Sequence, residues 1–336
     1  MTTTRYPLTR TTVEKISALK REPSWMTERR LAAWAAYEAA GAPSIGEPPL
    51  GSLEAYAEAP RATVPSKDWP EGLQQSLDER GDEEGLIVQR DCTVLSRSMT
   101  KEQSKKGVMF MDLDAAVQAA PDLVRRFWAK QLPAGDAVAA LNTAFCSGGA
   151  FLYVPSHVEV ERPFHICYWM SAPRFALFPR TLIVAEAGSV VSLLDERLSG
   201  AWSSPAMSHG LSELVVRESS RVHHYRLENY GGRVHAESRR MSTVASSASL
   251  MSLAARLGPT TADCQLVMES QSGKTGEAWT ARVLPHERPA IERLLNQLPD
   301  EPIREKLRHY IMGRWTGQRG PLTLEHAARW YPESRS

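Results

Sequence analysis

Cysteine is scarce in this chain of 336 residues: there are four, and they follow no regular spacing. That excludes a disulfide framework and points to reduced thiols in the cytoplasm. Charge of one sign is also lacking. The formal net charge is +1, which gives no electrostatic case for nucleic acid or an anionic membrane as partner. Long hydrophobic runs are missing too. The best, residues 181–194, contains Glu186 and is too short and mixed to span a bilayer. Residues 1–10 are polar, so no secretory signal is expected. Phosphate loops are absent. Ser147-Gly148-Gly149 and Gly231-Gly232 fit neither nucleotide spacing, and Gly273-Lys274-Thr275 imitates the end of a P-loop without its earlier glycine. All three read as turns, so any ATP falls to a separate subunit. No Ser/His/Asp order or paired-carboxylate motif stands out. Asp195, Glu196 and Glu213 read as solvated loop or edge charges.

What is present is ordinary for a soluble globular protein: 42% hydrophobic and 24% charged residues. Five stretches differ in texture. Residues 1–40 form a helical region, with Trp25, Leu31, Trp34 and Tyr37 on one helix face, Ser24 as a cap and Gly41 as a stop. Residues 41–104 read as a proline-rich, irregular linker, carrying Pro43, Pro48, Pro49, Pro60, Pro65 and Pro70. Residues 105–144 are an α/β lead-in, with a short strand at 107–112 and helical texture broken near Pro121. Residues 145–285 alternate apolar, β-branched runs with turns, and no helical period interrupts them. That pattern predicts a mainly β core, and leaves sandwich, barrel and β-helix open. Residues 286–336 return to helical texture: Ile303, Leu307, Tyr310 and Ile311 share a helical spacing, and a last helix is expected over 322–331.

Two segments carry a family resemblance. One is FCSGGAFLYVP at 145–155, continued by HVEVE at 157–161; the other is ISALKREPSWM at 16–26, followed by ERRL at 28–31. Each resembles a hallmark of the SufB/SufD family of iron–sulfur cluster assembly scaffolds, and they occur in the family's order. RTLIVAEAGS at 180–189 is similar to a family strand pair, and HYRL at 224–227 looks SufD-like. The resemblance implies a right-handed parallel β-helix between N-terminal and C-terminal helical regions. It also implies partners: a SufC-like ATPase and a second SufB/SufD-like chain, as homo- or heterodimer. Two departures accompany it. Residues 195–200, DERLSG, stand where the SufB pattern has a cysteine-bearing turn. Beyond Trp279 the chain passes almost directly to the C-terminal helices, without the family's later cysteine- and histidine-bearing segment.

Three groups of residues are candidates for chemistry. His165 and Cys167 stand two apart on a strand and so share a face, and Cys146 lies 21 residues earlier, close to one expected β-helix turn. Together they form a candidate site for an iron–sulfur cluster or a single metal ion. The plainer alternative is cysteine as a small core hydrophobe. His223, with neighbouring His224 and with His235, forms a second histidine-rich patch, which reads otherwise as solvated or capping side chains. Ile303, Leu307, Tyr310 and Ile311 either cover an open end of the β-helix or present an apolar stripe to the ATPase. The leading expectation is a non-catalytic scaffold or accessory subunit. The alternatives are a metal- or sulfur-dependent enzyme of a specialised biosynthetic pathway and a structural interaction module.

Overall fold

A computed structural model describes residues 7–41, 69–70, 73–74, 77, 83–130, 135–174, 176–256, 265–272 and 275–282. Toward the C-terminus it describes 292, 295–296, 298–301 and 303–308. Most of the proline-rich stretch, the turn at Gly273 and Lys274, and the helix expected over 322–331 lie outside the described residues.

Two helices open the described chain, α1 (Arg10–Leu19) and α2 (Ser24–Ala39). The sequence pattern treats them as one region capped at Ser24. The structure divides it instead, and Pro23 is the N-cap of α2 with no side-chain cap bond. Proline fixes φ and lacks an N–H, so it suits a helix entrance and not an interior. Strands β1 (Gly85–Arg90) and β2 (Thr93–Met99) follow, then α3 (Lys101–Lys105), β3 (Met109–Asp112), α4 (Leu113–Ala119), α5 (Pro121–Phe127) and α6 (Ala137–Phe145). The break between α4 and α5 falls at Pro121, as expected. Strands β1 and β2 are not expected from the irregular texture of 41–104. They form because β1 finds a parallel partner in β5, far away in sequence.

The remaining strands are β4 (Gly149–Val154), β5 (Phe164–Met170), β6 (Ala176–Leu177), β7 (Arg180–Ala185), β8 (Val190–Ser199) and β9 (Trp202–Val216). They continue with β10 (Arg221–Asn229), β11 (Gly232–Val244), β12 (Ser249–Arg256), β13 (Gln265–Ser272) and β14 (Thr275–Arg282). They wind a β-helix of about three turns. Successive coils contribute β4 and β5, then β7 and β8, β9 and β10, β11 and β12. The first strand of each coil enters a six-stranded sheet ordered β11-β9-β7-β4-β3, with β6 pairing β9 off that path. The second enters an eight-stranded sheet ordered β14-β13-β12-β10-β8-β5-β1-β2. Neighbouring coils pair in parallel, as in β4 with β7 and β8 with β10. Antiparallel strands close the sheets: β3 on β4, β2 on β1, and the hairpin β13–β14 on β12. Equivalent residues of adjacent coils stand 28 to 31 positions apart.

Alternation along each strand sorts the side chains into an inside and an outside. Phe164, Ile183, Leu193, Leu214, Val222 and Leu250 point inward and stack coil on coil in the apolar half of the interior. Each such side chain, fully buried, contributes about 1.5–3 kcal/mol relative to exposure. The outer face of the six-stranded sheet is roofed by helices. Trp34 of α2 and Phe145 of α6 pack with Phe178 and Met207. Val117, Val124 and Trp128 pack with Phe151, Leu182 and Val184. Gly149 begins β4 with φ 153°, and a Cβ there would lie 1.7 Å from the carbonyl oxygen of Arg180. Only glycine lets the two coils meet at that point. Among the described residues no helix is long and apolar enough to cross a membrane.

Candidate functional site

The outer face of the eight-stranded sheet gathers the first candidates. His165 and Cys167 do share it, because β5 alternates with Phe164, Ile166 and Tyr168 turned inward. His165 Nε2 lies 2.9 Å from Glu196 Oε2, and Lys306 Nζ reaches the same oxygen at 2.9 Å. His165, Glu196 and Lys306 are all buried. Cys167 sits beside Glu196 in the strand register. Burial pushes the Cys167 thiol well up, and the Glu196 carboxylate pushes it further. It is therefore a neutral thiol at physiological pH, not a ready thiolate ligand.

A second cluster lies on the same face one coil further. Asp300 accepts from Ser192 Oγ at 2.9 Å, lies 3.2 Å from His223 Nδ1, and accepts a hydrogen bond from the Tyr225 hydroxyl. Burial raises the Asp300 carboxyl, but the bonds from His223 and Tyr225 outweigh it and hold it below its usual range. The C-terminal segment thus docks on the sheet through two polar anchors, Asp300 and Lys306. Between and beside them Ile303 and Leu307 are buried within this chain. Tyr310 and Ile311 lie outside the described residues.

Cys146 does not stack on Cys167. A coil is 28 to 31 residues long, not 21, and the register neighbours of Cys167 are Val88 and Glu196. Cys146 ends α6 on the opposite side of the β-helix, packed with Trp25 and Trp128, and its Sγ lies 3.4 Å from the Gly148 carbonyl oxygen. Cys92 is half-buried near Met170 and Met207, apart from both, and Cys264 lies outside the described residues. Among the described residues no two cysteines share a packing cluster, whereas an iron–sulfur cluster is held by several thiolates at one point. The histidine patch also separates. His223 lies on the eight-stranded sheet, whereas His235 lies on β11 of the six-stranded sheet, near His209 and Glu237.

The β-helix interior holds what the sequence reading missed. Residues 195–200 do not begin a turn, because β8 runs to Ser199. Asp195 and Arg197 point inside and are wholly buried. Arg197 donates to both carboxylate oxygens, from Nε at 2.9 Å and from Nη2 at 2.8 Å, and from Nη1 to Ser238 at 2.8 Å. Thr181 donates to Asp195 at 2.9 Å. Glu228 accepts from Ser238 and from Arg256 Nε at 2.9 Å. Burial raises the Asp195 carboxyl, yet Arg197 outweighs it and holds it far below the usual carboxylate range. Glu228, opposed in the same way by burial and favoured by Arg226, Arg256 and Arg197, is lowered to about 2. Nor is Glu213 solvated: it pairs with Arg180 at 2.6 Å on the outer face and accepts from the Ala129 amide at 3.0 Å. The signal for these inward charges was faint: no glycine, proline or asparagine interrupts the run from Val190 to Ser199, so the strand continues through Asp195 and Arg197.

Fold and site together define a helix-flanked β-helix whose charged interior is tied up internally and whose two sheet faces are roofed by its own ends. Family models agree with that class. Residues 86–166 match the SufBD protein N-terminal region, and residues 168–277 match the SufBD core domain of the SUF system for iron–sulfur cluster assembly. The chain belongs to the SufBD family. It is similar to iron–sulfur cluster assembly SufBD family proteins of three staphylococci. Identity is 30% to the protein of Staphylococcus epidermidis, 29% to that of Staphylococcus haemolyticus and 28% to that of Staphylococcus aureus. Each comparison runs over 241 residues, 68% of this chain and 52% of the relative. The chain therefore spans about half the length of the curated relatives it matches.

Proposed function

We propose that this chain is a non-catalytic scaffold or accessory subunit of iron–sulfur cluster assembly, working with a SufC-like ATPase and a second SufB/SufD-like chain. The observation that carries the reading is the match of the two family models to residues 86–166 and 168–277, a span that includes every coil strand from β4 to β12. The chemistry of the chain supports the accessory half of the proposal. Its buried thiols Cys146 and Cys167 lie in separate clusters, and a site for the cluster as cargo needs ligands from more than one of these places or from a second chain. Its inward charges are paired with one another, which favours a rigid body over a reacting centre.

Co-expression of the full chain with the SUF ATPase of its own organism tests the proposal. Affinity capture followed by light scattering on a gel-filtration column should give a complex containing both proteins. A chain that elutes alone, with the ATPase present in excess, refutes the partnership.

A further inference from the structure

We propose that His209, His235 and Glu237 form a binding site for one divalent transition-metal ion, of the zinc or ferrous-iron class, on the outer face of the six-stranded sheet. Nothing in the function proposed above requires this site, and its test is independent of any partner.

The site follows from strand register. Strands β9 and β11 are parallel neighbours, and Glu237 pairs directly with His209. His235 stands two residues before Glu237, so both side chains leave β11 on the same face. That is the face His209 takes on β9, since Ser208, Gly210 and Ser212 turn toward the interior. One ligand atom from each of the three lies within 4.8 Å of the others. A tetrahedral ion with bonds of about 2.0–2.1 Å holds its ligand atoms roughly 3.3 Å apart, so the donors must close by about 1.5 Å at most. Two of the three are free to do so: His235 is exposed and Glu237 half-buried.

His209 supplies the independent observation. It is wholly buried, and neither ring nitrogen has a hydrogen-bond partner. Leaving a buried imidazole unsatisfied is costly, and a metal ion at one nitrogen relieves part of that cost. The ring is held in place from behind. Its edge meets Phe178 at 6.1 Å between centroids, and its backbone carbonyl accepts from Asn142 Nδ2 at 2.7 Å. The His235 ring lies 5.9 Å from it. Arg239 Nη2 holds Glu237 Oε1 at 2.6 Å, which orients the carboxylate and leaves Oε2 for the ion. Two imidazoles and one carboxylate select zinc, cobalt, nickel or ferrous iron over calcium or magnesium, and three protein ligands leave at least one coordination position for water or a ligand.

The experiment is a titration of the chelator-stripped full chain with Zn2+ by calorimetry, and with Co2+ by visible absorption. His235→Ala and Glu237→Gln serve as variants, because both positions reach solvent and neither side chain supports the core. The expected result is one ion per chain, a cobalt spectrum of nitrogen and oxygen ligation without thiolate charge-transfer bands, and at least about tenfold weaker binding in each variant. A smaller loss in either variant, thiolate bands in the cobalt spectrum, or the absence of one-to-one binding by the unaltered chain overturns the proposal.

Discussion

Arg197 and Gly210 meet inside the β-helix: a Cβ at position 210 would lie 1.5 Å from Arg197 Nη1. The guanidinium cannot retreat without giving up Asp195 and Ser238. Gly210→Ala is therefore expected to destabilise the chain by about 1–3 kcal/mol through overpacking, read as a lower midpoint in urea. In an Arg197→Ala background the same substitution should cost clearly less, because the atom it strikes is gone. Equal costs in both backgrounds would show that the two residues are not coupled.

Acid should unfold the protein in two stages. His209 has a folded pKa of about 4, below its unfolded value near 6.5. As pH falls between these values the unfolded state takes up a proton that the folded state refuses, so stability declines across that window. Glu228, folded near 2 and unfolded near 4.3, behaves in the same sense for the opposite charge. Its contribution is present above its unfolded value and is lost as pH falls toward its folded one. Asp195, lowered further, adds to the second stage. Denaturant midpoints in the presence of a chelator should fall in both windows, and His209→Gln should flatten the upper one alone.

Lys306 Nζ and His165 Nε2 both contact the wholly buried Glu196 carboxylate at 2.9 Å, and replacing Lys306 takes the ammonium charge away from it. Breaking one side of a buried pair costs about 3–5 kcal/mol. Lys306→Ala is expected to destabilise the docked C-terminal segment by an amount in that range and to open it to limited proteolysis. Lys306→Met combined with Glu196→Gln should recover most of the loss, since it removes both charges together. Unchanged proteolysis of Lys306→Ala would show that Ile303 and Leu307 suffice to hold the segment.

Thiol labelling of the native chain should mark Cys92 well before Cys146 or Cys167. Cys92 is half-buried and the other two are buried, and Cys167 is further disfavoured as a thiolate by burial and by Glu196. Mass spectrometry after brief alkylation, with and without denaturant, reads the order directly. Rapid native labelling of Cys167 would mean that its face is open.

Elements dictated by local pattern were legible before the structure. The helical texture around Trp25 and Trp34, the break at Pro121 and the short strands from Phe151 onward all follow from spacing and turn residues over a few positions. What could not be seen was long-range register. The true coil length separates Cys146 from Cys167, and it emerges only from pairs such as Phe151 with Leu182. His209 was hidden for a related reason. Strand β9 begins at Trp202 and runs through Pro205, Ser208 and Gly210, residues that argue against a strand. Inside a β-helix such small and polar residues are accommodated beside Arg197 and Tyr230, and the strand continues through them. Asp195 read as surface for a related reason: Arg197 lies two positions along the same strand, but Thr181 and Ser238, which complete the buried network, lie on other strands.

Arg30 of α2 is wholly buried. It is clamped by Glu22 at 2.7 and 2.8 Å, and it donates to the carbonyl oxygens of Ala144 at 3.0 Å and Cys146 at 3.3 Å. Those acceptors lie 114 and 116 positions downstream. During synthesis at about 5–20 residues per second, the first helices emerge roughly 6–23 s before the carbonyls that receive them. The beginning of the protein must therefore wait, unanchored, for the first coil to be made. A ribosome stalled between α2 and β4 would present that arginine, with Trp25 and Trp34 beside it, to whatever else is nearby.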